Sequence, residues 1–265
     1  MGFMDRGGKG RVVDHLISKK PIKILHTADV HLGCDSFGNP EQRQEQRSLF
    51  FRAFQTIVDR AIDEQVDLML IAGDLFDHNR VRDETLAFVQ DQLQRLQQPV
   101  VILPGNHDCL YTGSIYDRYD FSAAGDHVHM ITELNGQTVE LPELSAVVWG
   151  RAMEEHEPGF HPLGLIPSRL DQRWHLAMAH GFFYDSAQDA DRSSPIFAEE
   201  IRDTGWDYVA MGHVHVMRDH SQGKVTAYYP GASLVNWSGA APNGGVLLID
   251  CLPEQGIVVR PQPVF

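Results

Sequence analysis

The chain has 265 residues, of which 43% are apolar and 22% are charged, an ordinary composition for one large α/β domain or two small ones. The formal net charge of −14 disfavours a broad nucleic-acid interface, because such surfaces are usually basic. No apolar run is long enough to cross a membrane, the N-terminus lacks the apolar stretch of a secretory signal, and the three cysteines are scattered; we therefore expect a cytoplasmic protein with no membrane contact.

The first half of the chain predicts alternating strands and helices. Residues 1–20 are rich in Gly and Lys and predict a loose arm, and residues 21–265 are expected to form a single domain. Apolar residues at helical spacing, with a charged opposite face, predict helices over 41–65 and 83–97. The apolar runs around these helices predict parallel strands joined by crossover helices. They are "PIKILHTADVH", "VDLMLIAGD" and "PVVILPGNHD".

The second half predicts shorter strands and more loops. Residues 109–127 have a loop-like pattern, and three prolines within 154–168 predict a surface loop. A helix is expected near "SPIFAEEIRDTG". The segments "KVTAYYPGAS", "GGVLLID" and "GIVVRPQPV" are closely spaced with turn residues between them and predict a terminal β-meander. The other predicted strands are "HVHMI", "QTVEL", "SAVVWG", "WHLAMAHG" and "WDYVAMGHVH".

Five of the apolar runs end in polar residues of the types that serve as metal ligands in proteins. Ligands of open α/β sheets bind beyond the carboxyl ends of the strands, so neighbouring strands would bring these side chains together. Any one of them alone would be an ordinary core or turn residue, but five such endings in a fixed order favour a metal site. The endings are Asp29 and His31, then Asp74, then Asn106 with His107 and Asp108, then His180, then His213 and His215.

The spacing of these residues has a physical reason. Side chains alternate along an extended chain, so residues i and i+2 point the same way. Asp29 and His31 are therefore expected to share one ion. His213 and His215 would divide between two ions about 3.5–4 Å apart, the separation in two-metal hydrolytic sites.

The set D-x-H, GD, GNHD, HG and GHVH resembles the calcineurin-like metallophosphoesterase superfamily, over roughly residues 22–250. The resemblance implies an α/β (α+β) fold, a four-layer α/β/β/α sandwich with two mixed β-sheets. It also implies two divalent or mixed-valence metal ions, and the imidazole and carboxylate ligands favour Mn, Fe or Zn. A hydroxide bridging the two ions would attack the phosphorus of the substrate.

The resemblance also implies a role for each motif residue. Asp74 would bridge the two ions. His107 would act on the leaving group, and Asp108 would orient His107. The first ion would be held by Asp29, His31 and His215, and the second by Asn106, His180 and His213.

The finer pattern of the motifs is similar to the DNA-repair exonuclease branch of this family, with two departures. Archaeal and eukaryotic members of that branch place a histidine three residues after the bridging aspartate, where this chain has Asp77. The chain also ends fifty residues after His215, which leaves no room for the DNA-binding cap of that branch. We therefore expect a phosphodiesterase that acts on small or accessible phosphodiesters.

Two alternatives remain open at this point. A stand-alone DNA or RNA nuclease would use the same centre, although the acidic charge disfavours nucleic acid as a partner. A non-catalytic scaffold is a weaker alternative, since the ligand set is complete. The oligomeric state is left open. Residues near the motifs that could contact the phosphoester substrate are Arg80, Arg82, Tyr111, Tyr116, Arg118, Tyr119, Tyr184 and Trp237.

Overall fold

The computed structural model describes residues 18–34, 38–234 and 245–265. Most of the predicted arm, residues 1–17, lies outside these ranges. Two six-stranded sheets form the centre of the fold. The first has the order β14-β13-β1-β2-β3-β4. Its strands are β1 Ile22–Thr27, β2 Leu68–Ala72, β3 Val100–Leu103, β4 Val128–Met130, β13 Gly245–Leu252 and β14 Gly256–Pro263.

The second sheet has the order β11-β12-β10-β7-β6-β5. Both sheets are mixed. The first is parallel from β1 to β4 and antiparallel on the side of β13 and β14, and the second has a parallel centre with an antiparallel pair at each margin. The strands of the second sheet are β5 Gln137–Leu141, β6 Ala146–Gly150, β7 Trp174–His180, β10 Tyr208–Gly212, β11 Arg218–Asp219 and β12 Thr226–Tyr229. A small parallel pair, not predicted from the sequence, joins β8 Phe182–Tyr184 to β9 Pro195–Phe197.

The helices cover the outer faces of the sheets. Helix α1 spans Pro40–Asp63 and α2 spans Asp83–Gln94, close to the predicted helices. Helix α1 begins where it does because Asn39 accepts a hydrogen bond from Gln42 N at 2.9 Å and Pro40 occupies the first turn. Residues 109–127 are more helical than expected, with the short helix α3 at Ile115–Arg118. Helix α4 spans Ala198–Thr204.

Three apolar cores separate four layers. Strand side chains alternate, so in β1 Leu25 packs under α1 and α2 while Ile24 packs between the two sheets. The third core lies outside the second sheet, where Ile201 of α4 packs with Trp206. The order of layers is therefore α/β/β/α, as predicted. Within the described ranges, no helix combines the length and apolar character needed to cross a membrane.

The predicted terminal β-meander is wrong in its first strand. Strand β12 pairs in parallel with β10 in the second sheet, whereas β13 pairs antiparallel with β1 in the first. Only β13 and β14 form the expected hairpin. Residues 230–244 separate β12 from β13, and a connection of that length allows the chain to cross from one sheet to the other.

Candidate metal centre

The candidate ligands lie where β1, β2, β3, β7 and β10 end. The loops after β1 and β2 are joined by backbone hydrogen bonds from Asp29 N to the Gly73 oxygen at 3.1 Å and from His31 N to the Asp74 oxygen at 3.0 Å. The loop after β10 is joined to them by His213 N, which donates to both Asp29 carboxylate oxygens at 3.1 and 3.0 Å. Side chains far apart in the sequence therefore meet at one edge of the sandwich.

The first group of ligand atoms comes from Asp29, His31 and His215. His31 Nε2 and His215 Nε2 are 3.1 Å apart, and Asp29 Oδ1 is 3.8 Å from His215 Nε2. Asp29 and His31 are buried, whereas the His215 side chain is 46% exposed and opens the group to solvent. The three residues belong to loops after two different strands, and they match the set expected to hold the first ion.

The second group surrounds Asn106. Its side-chain oxygen is 2.8 Å from His213 Nδ1 and 3.0 Å from His180 Nε2. Asp74 lies between the two groups, because its Oδ2 is 3.4 Å from His180 Nε2 and 4.0 Å from His31 Nε2. His213 and His215 therefore belong to different groups.

The backbone at the ligands is not extended, which corrects the reason given for the D-x-H spacing. Strand β1 ends at Thr27, and Asp29 and His31 have φ values of 53° and 54°. Asp74, with φ 52°, and His213, with φ 104°, are also in the left-handed region, which side chains other than glycine rarely adopt. Four of the seven such residues in the described ranges are candidate ligands. The tight turns, rather than strand alternation, bring Asp29 and His31 together.

Two glycines make room for the buried His180 ring. A Cβ added to Gly73, whose φ is +92°, would lie 2.0 Å from His180 Nδ1. A Cβ added to Gly212 would lie 1.9 Å from the Ala72 oxygen and 2.7 Å from His180 Nδ1. His180 Nδ1 is also 2.9 Å from the Ala72 oxygen, so it is the proton-bearing nitrogen and donates this bond. This leaves His180 Nε2 as the nitrogen that faces Asp74.

The charges at the centre are strongly coupled. Although burial opposes its ionisation, the neighbouring His180 and His31 hold the pKa of Asp74 below its usual range. Burial lowers the pKa of His180, but Asp74 and Asp29 outweigh it and raise that pKa to about 9. Burial and the charge of His180 lower the pKa of His213 to about 3, and burial raises the pKa of Asp29. Two buried carboxylates and several imidazoles thus influence one another's protonation at this site.

The donor set fits divalent metal ions. Besides the first group, ligand atoms of Asp29, Asp74 and His180 lie within 4.8 Å of one another, as do those of His31, Asp74 and His107. Carboxylate, imidazole and amide donors without thiolate suit Mn, Fe and Zn. Buried carboxylates without a cation beside them are costly, and a divalent ion would offset that cost.

His107 is held by the loop after β2. Its Nδ1 donates to the backbone oxygen of Asp77 at 2.7 Å, its backbone N donates to Asp74 Oδ1 at 2.9 Å, and its side chain is 37% exposed. The Asp77 carboxylate is almost completely buried, and its Oδ1 faces His31 Nδ1 at 3.3 Å without the alignment of a hydrogen bond. Asp77 therefore contacts both a candidate ligand and the candidate catalytic imidazole.

The expectation that Asp108 orients His107 is wrong. The Asp108 carboxylate is completely buried and accepts hydrogen bonds from Gly105 N at 2.7 Å, Phe76 N at 3.1 Å and Tyr116 Oη at 2.6 Å. Burial raises its pKa. Asp108 thus ties the loops after β2 and β3 together, and the His107 ring, whose Nδ1 donates to the Asp77 oxygen, is not among its three donors.

Some of the residues expected to contact substrate lie beside His107. Arg80 and Tyr111 line a cavity of about 460 Å³ together with His107 and Cys109. Others make contacts within the fold, and Trp237 lies outside the described residues. Tyr116 binds Asp108, Arg118 donates to the Asn79 oxygen at 2.9 Å, Tyr119 contacts Gln90, Tyr184 donates to Asp191 at 2.7 Å, and Arg82 is the N-terminal cap of α2.

Two residues of the centre were not assigned to it from the sequence. Asp77 follows the GD motif by three residues, and that spacing was the only indication of its place. His156 lies in the proline-containing loop without a motif, yet its ring centroid is 5.2 Å from that of His213. Contacts between distant loops, which no local pattern encodes, place both of them.

Comparison with known proteins agrees with this geometry. The chain is 25% identical over 233 residues to the metallophosphoesterase YhaO of Bacillus subtilis, covering 79% of this chain and 52% of YhaO. It is 34% identical over 122 residues to the DNA double-strand break repair protein Mre11 of Methanosarcina acetivorans, covering 45% of this chain and 19% of that protein. The Haloferax volcanii protein of the same name is 28% identical over 208 residues, covering 73% of this chain and 41% of that protein. The aligned regions span about half or less of each relative.

Solved structures share the fold at low sequence identity. The protein TT1561 of Thermus thermophilus superposes with a TM-score of 0.58 at 11% identity, covering 93% of this chain and 100% of that one. The purple acid phosphatase PPD1 of yellow lupin superposes with a TM-score of 0.55 at 14% identity, covering 94% and 52%. Residues 22–217 match the calcineurin-like phosphoesterase family, a range that contains every candidate ligand. With its sandwich fold and its clustered histidines and aspartates, the chain belongs to the calcineurin-like phosphoesterase family.

Proposed function

We propose that this protein is a phosphodiesterase that uses two metal ions and hydrolyses small or accessible phosphodiesters. The observation that supports it is the pair of ligand groups at one sheet edge, with the Asp74 carboxylate between His31 and His180. One group presents Asp29, His31 and His215, and the other presents Asn106, His180 and His213. A single-ion site would leave one of the groups without a role.

The chemistry divides between the ions and the chain. Two divalent ions, Mn, Fe or Zn, would supply a hydroxide nucleophile at neutral pH and neutralise charge on the phosphate. The ligands provide two carboxylate charges, so the loaded centre is locally cationic within a chain of net charge −14 and attracts an anionic ester. Asp29 and Asp74 are buried, so solvent screens their charges less than it would at the surface.

His107 is placed to act on the leaving group. Because Nδ1 donates to the Asp77 oxygen, Nε2 is the nitrogen left for the substrate. In its protonated form, His107 would transfer the Nε2 proton to the leaving alkoxide as the bond from phosphorus to oxygen breaks. The cavity that Arg80 and Tyr111 share with His107 would receive the leaving group.

A nuclease is the second candidate, because several relatives carry the name DNA double-strand break repair protein. The two functions are separated by one assay on metal-depleted protein supplied again with Mn. One arm uses bis-p-nitrophenyl phosphate and cyclic nucleotides, and the other uses labelled single- and double-stranded DNA. Turnover of the small diesters with intact DNA supports the first proposal, whereas degradation of DNA supports the second.

Asp74→Asn is the matched inactive variant for this assay. The substitution keeps the size of the side chain but removes the charge between the two ligand groups. We expect it to lose both bound metal, measured by elemental analysis, and turnover. Full activity of metal-depleted Asp74→Asn protein would contradict a two-metal mechanism.

We also propose that residues 21–265 form a single domain and that the protein resides in the cytoplasm. The shared core between the two sheets supports the first point. The three cysteines are odd in number and scattered along the sequence, a pattern that gives no disulfide framework and supports a reducing compartment.

A further inference from the structure

A second imidazole lies beside the centre, at the group that His107 does not contact. The His107 ring packs on His31, of the first ligand group, with ring centroids 4.7 Å apart. The His156 ring packs on His213, of the second group, with ring centroids 5.2 Å apart. His156 comes from the loop after β6 and is half-buried, so part of the ring remains accessible. Each ligand group thus has one histidine from outside the ligand set against it.

His156 is held in this position by Ser194. His156 Nδ1 is 2.9 Å from Ser194 Oγ. Ser194 is completely buried, with a left-handed φ of 53°. Its backbone N donates to the Glu157 oxygen at 2.9 Å, and its backbone oxygen accepts from Phe182 N at 3.0 Å. The backbone of Ser194 is therefore fully engaged, and its hydroxyl is the group that orients the imidazole.

We propose that His156 is a substrate-binding residue that donates a hydrogen bond from Nε2 to a phosphate oxygen on the His213 side of the centre. This inference rests on the proposed phosphoester chemistry. A serine hydroxyl that donates to Nδ1 leaves the proton of the neutral imidazole on Nε2, which makes that nitrogen a donor. Donors matched to developing phosphate charge stabilise the transition state.

Binding of inorganic phosphate to the Mn-loaded protein tests this role without requiring turnover. We expect His156→Ala to weaken phosphate binding by roughly 10-fold or more, the effect of losing a hydrogen bond to a charged group. His156→Gln, whose amide can donate, should recover most of the affinity. Ser194→Ala should weaken phosphate binding by a smaller factor. The His156 ring stays in place, but without the serine hydroxyl its proton can lie on either ring nitrogen. The Mn content should stay at the wild-type value in all three variants.

His161→Ala is the matched control. His161 lies in the same loop and is similarly exposed, but its Nδ1 is 3.2 Å from Glu200 Oε1 and its ring packs on Phe197. We expect this variant to bind phosphate like the wild type. A general disturbance of the loop would weaken both alanine variants equally and would contradict a specific role of His156.

Other outcomes would also overturn the inference. Unchanged phosphate binding in His156→Ala would show that the ring only packs against His213, and loss of Mn would show that it is a ligand instead. Absence of phosphate binding by the loaded wild type would contradict it as well. If the wild type hydrolyses diesters and His156→Ala behaves identically, the proposed function stands and this inference alone fails. If diesters are not hydrolysed but phosphate binding depends on His156, the proposed function fails and the binding role of His156 stands.

Discussion

The Asp77 carboxylate lies 3.3 Å from His31 Nδ1, on the side of the ring opposite the nitrogen that faces His215. Carboxylates in this position fix the orientation of a metal-binding histidine and increase its basicity. The backbone oxygen of Asp77 also accepts the bond from His107 Nδ1. One residue thus supports the candidate metal site through its side chain and the candidate acid through its backbone.

Asp77→Asn separates these two contributions, because the substitution alters the side chain and retains the backbone oxygen. We expect the affinity for Mn to fall by about 10–100-fold. At saturating Mn, kcat should stay close to the wild-type value, since His107 keeps its hydrogen bond. Metal titration monitored by turnover measures both quantities.

Asp203→Asn is the surface control for this experiment, since the Asp203 side chain is 68% exposed and pairs with its chain neighbour Arg202. A fall in kcat at saturating Mn for Asp77→Asn, with unchanged metal affinity, would place the carboxylate in the catalytic step instead.

His107→Ala should keep its metal but lose about 10²–10⁴-fold in kcat, the usual contribution of a general acid. The loss should be smaller for a p-nitrophenolate leaving group than for an alkoxide, because a weakly basic leaving group needs little proton donation. Steady-state kinetics with one diester of each kind, together with elemental analysis, measure the effect.

The alternative reading of His107 is that it is a ligand, since its ring shares a group of ligand atoms with His31 and Asp74. Loss of an ion from His107→Ala would favour that role. Equal losses for both leaving groups would also count against proton donation.

Gly73→Ala should disrupt the centre because the added methyl group would clash with the His180 ring. The added Cβ would lie 2.0 Å from His180 Nδ1, at a backbone φ of +92°. We expect reduced Mn content and a free energy of unfolding lower by more than the roughly 1–3 kcal/mol of backbone strain. Chemical denaturation and elemental analysis measure the two effects.

Gly256→Ala is the matched control, because Gly256 has a similar φ of +85° but nothing within 4 Å of the added Cβ. Gly256→Ala therefore has the same kind of backbone strain as Gly73→Ala but no steric clash of the added Cβ. Equal destabilisation of the two variants, with normal Mn content in both, would show that the His180 contact is unimportant.

Burial of the His26 ring should make the free energy of unfolding depend on pH. The ring is completely buried between the sheets, its Nδ1 is 2.9 Å from Tyr208 Oη, and burial lowers its pKa from 6.5 to about 3. The unfolded chain therefore binds a proton between about pH 6.5 and 3 that the folded chain does not bind. Stability contributed by the neutral ring is present above pH 6.5 and falls as the pH is lowered, by about 1.4 kcal/mol per pH unit at most.

His26→Gln removes this titration, and we expect its free energy of unfolding to depend less on pH between 6 and 5 than that of the wild type. Urea denaturation of both metal-depleted proteins at several pH values gives the two slopes. The other histidines titrate in both proteins and cancel in the difference. Parallel slopes would mean that His26 is protonated in the folded state.

The sequence by itself identified the fold and the positions of the candidate ligands. Strands with apolar runs and polar ends, separated by amphipathic helices, predict both local structure and one common edge. The predicted helices agree with α1 and α2 within a few residues at their ends. Asp29 and Asp74 could be placed together in advance because they follow neighbouring parallel strands, β1 and β2, whose ends lie at the same edge. His180 ends β7 of the other sheet, so its place beside them depends on how the two sheets pack.

Only the tertiary structure decided how those residues are used. It assigned β12 to the second sheet, gave Asp108 a structural role and placed Asp77 and His156 at the centre. Each of these depends on a contact between segments that are 18 to 57 residues apart in the chain. Local periodicity indicates which face of a helix or strand is buried. It does not indicate which distant loop packs against that face, because the packing depends on burial and hydrogen bonding across the whole chain.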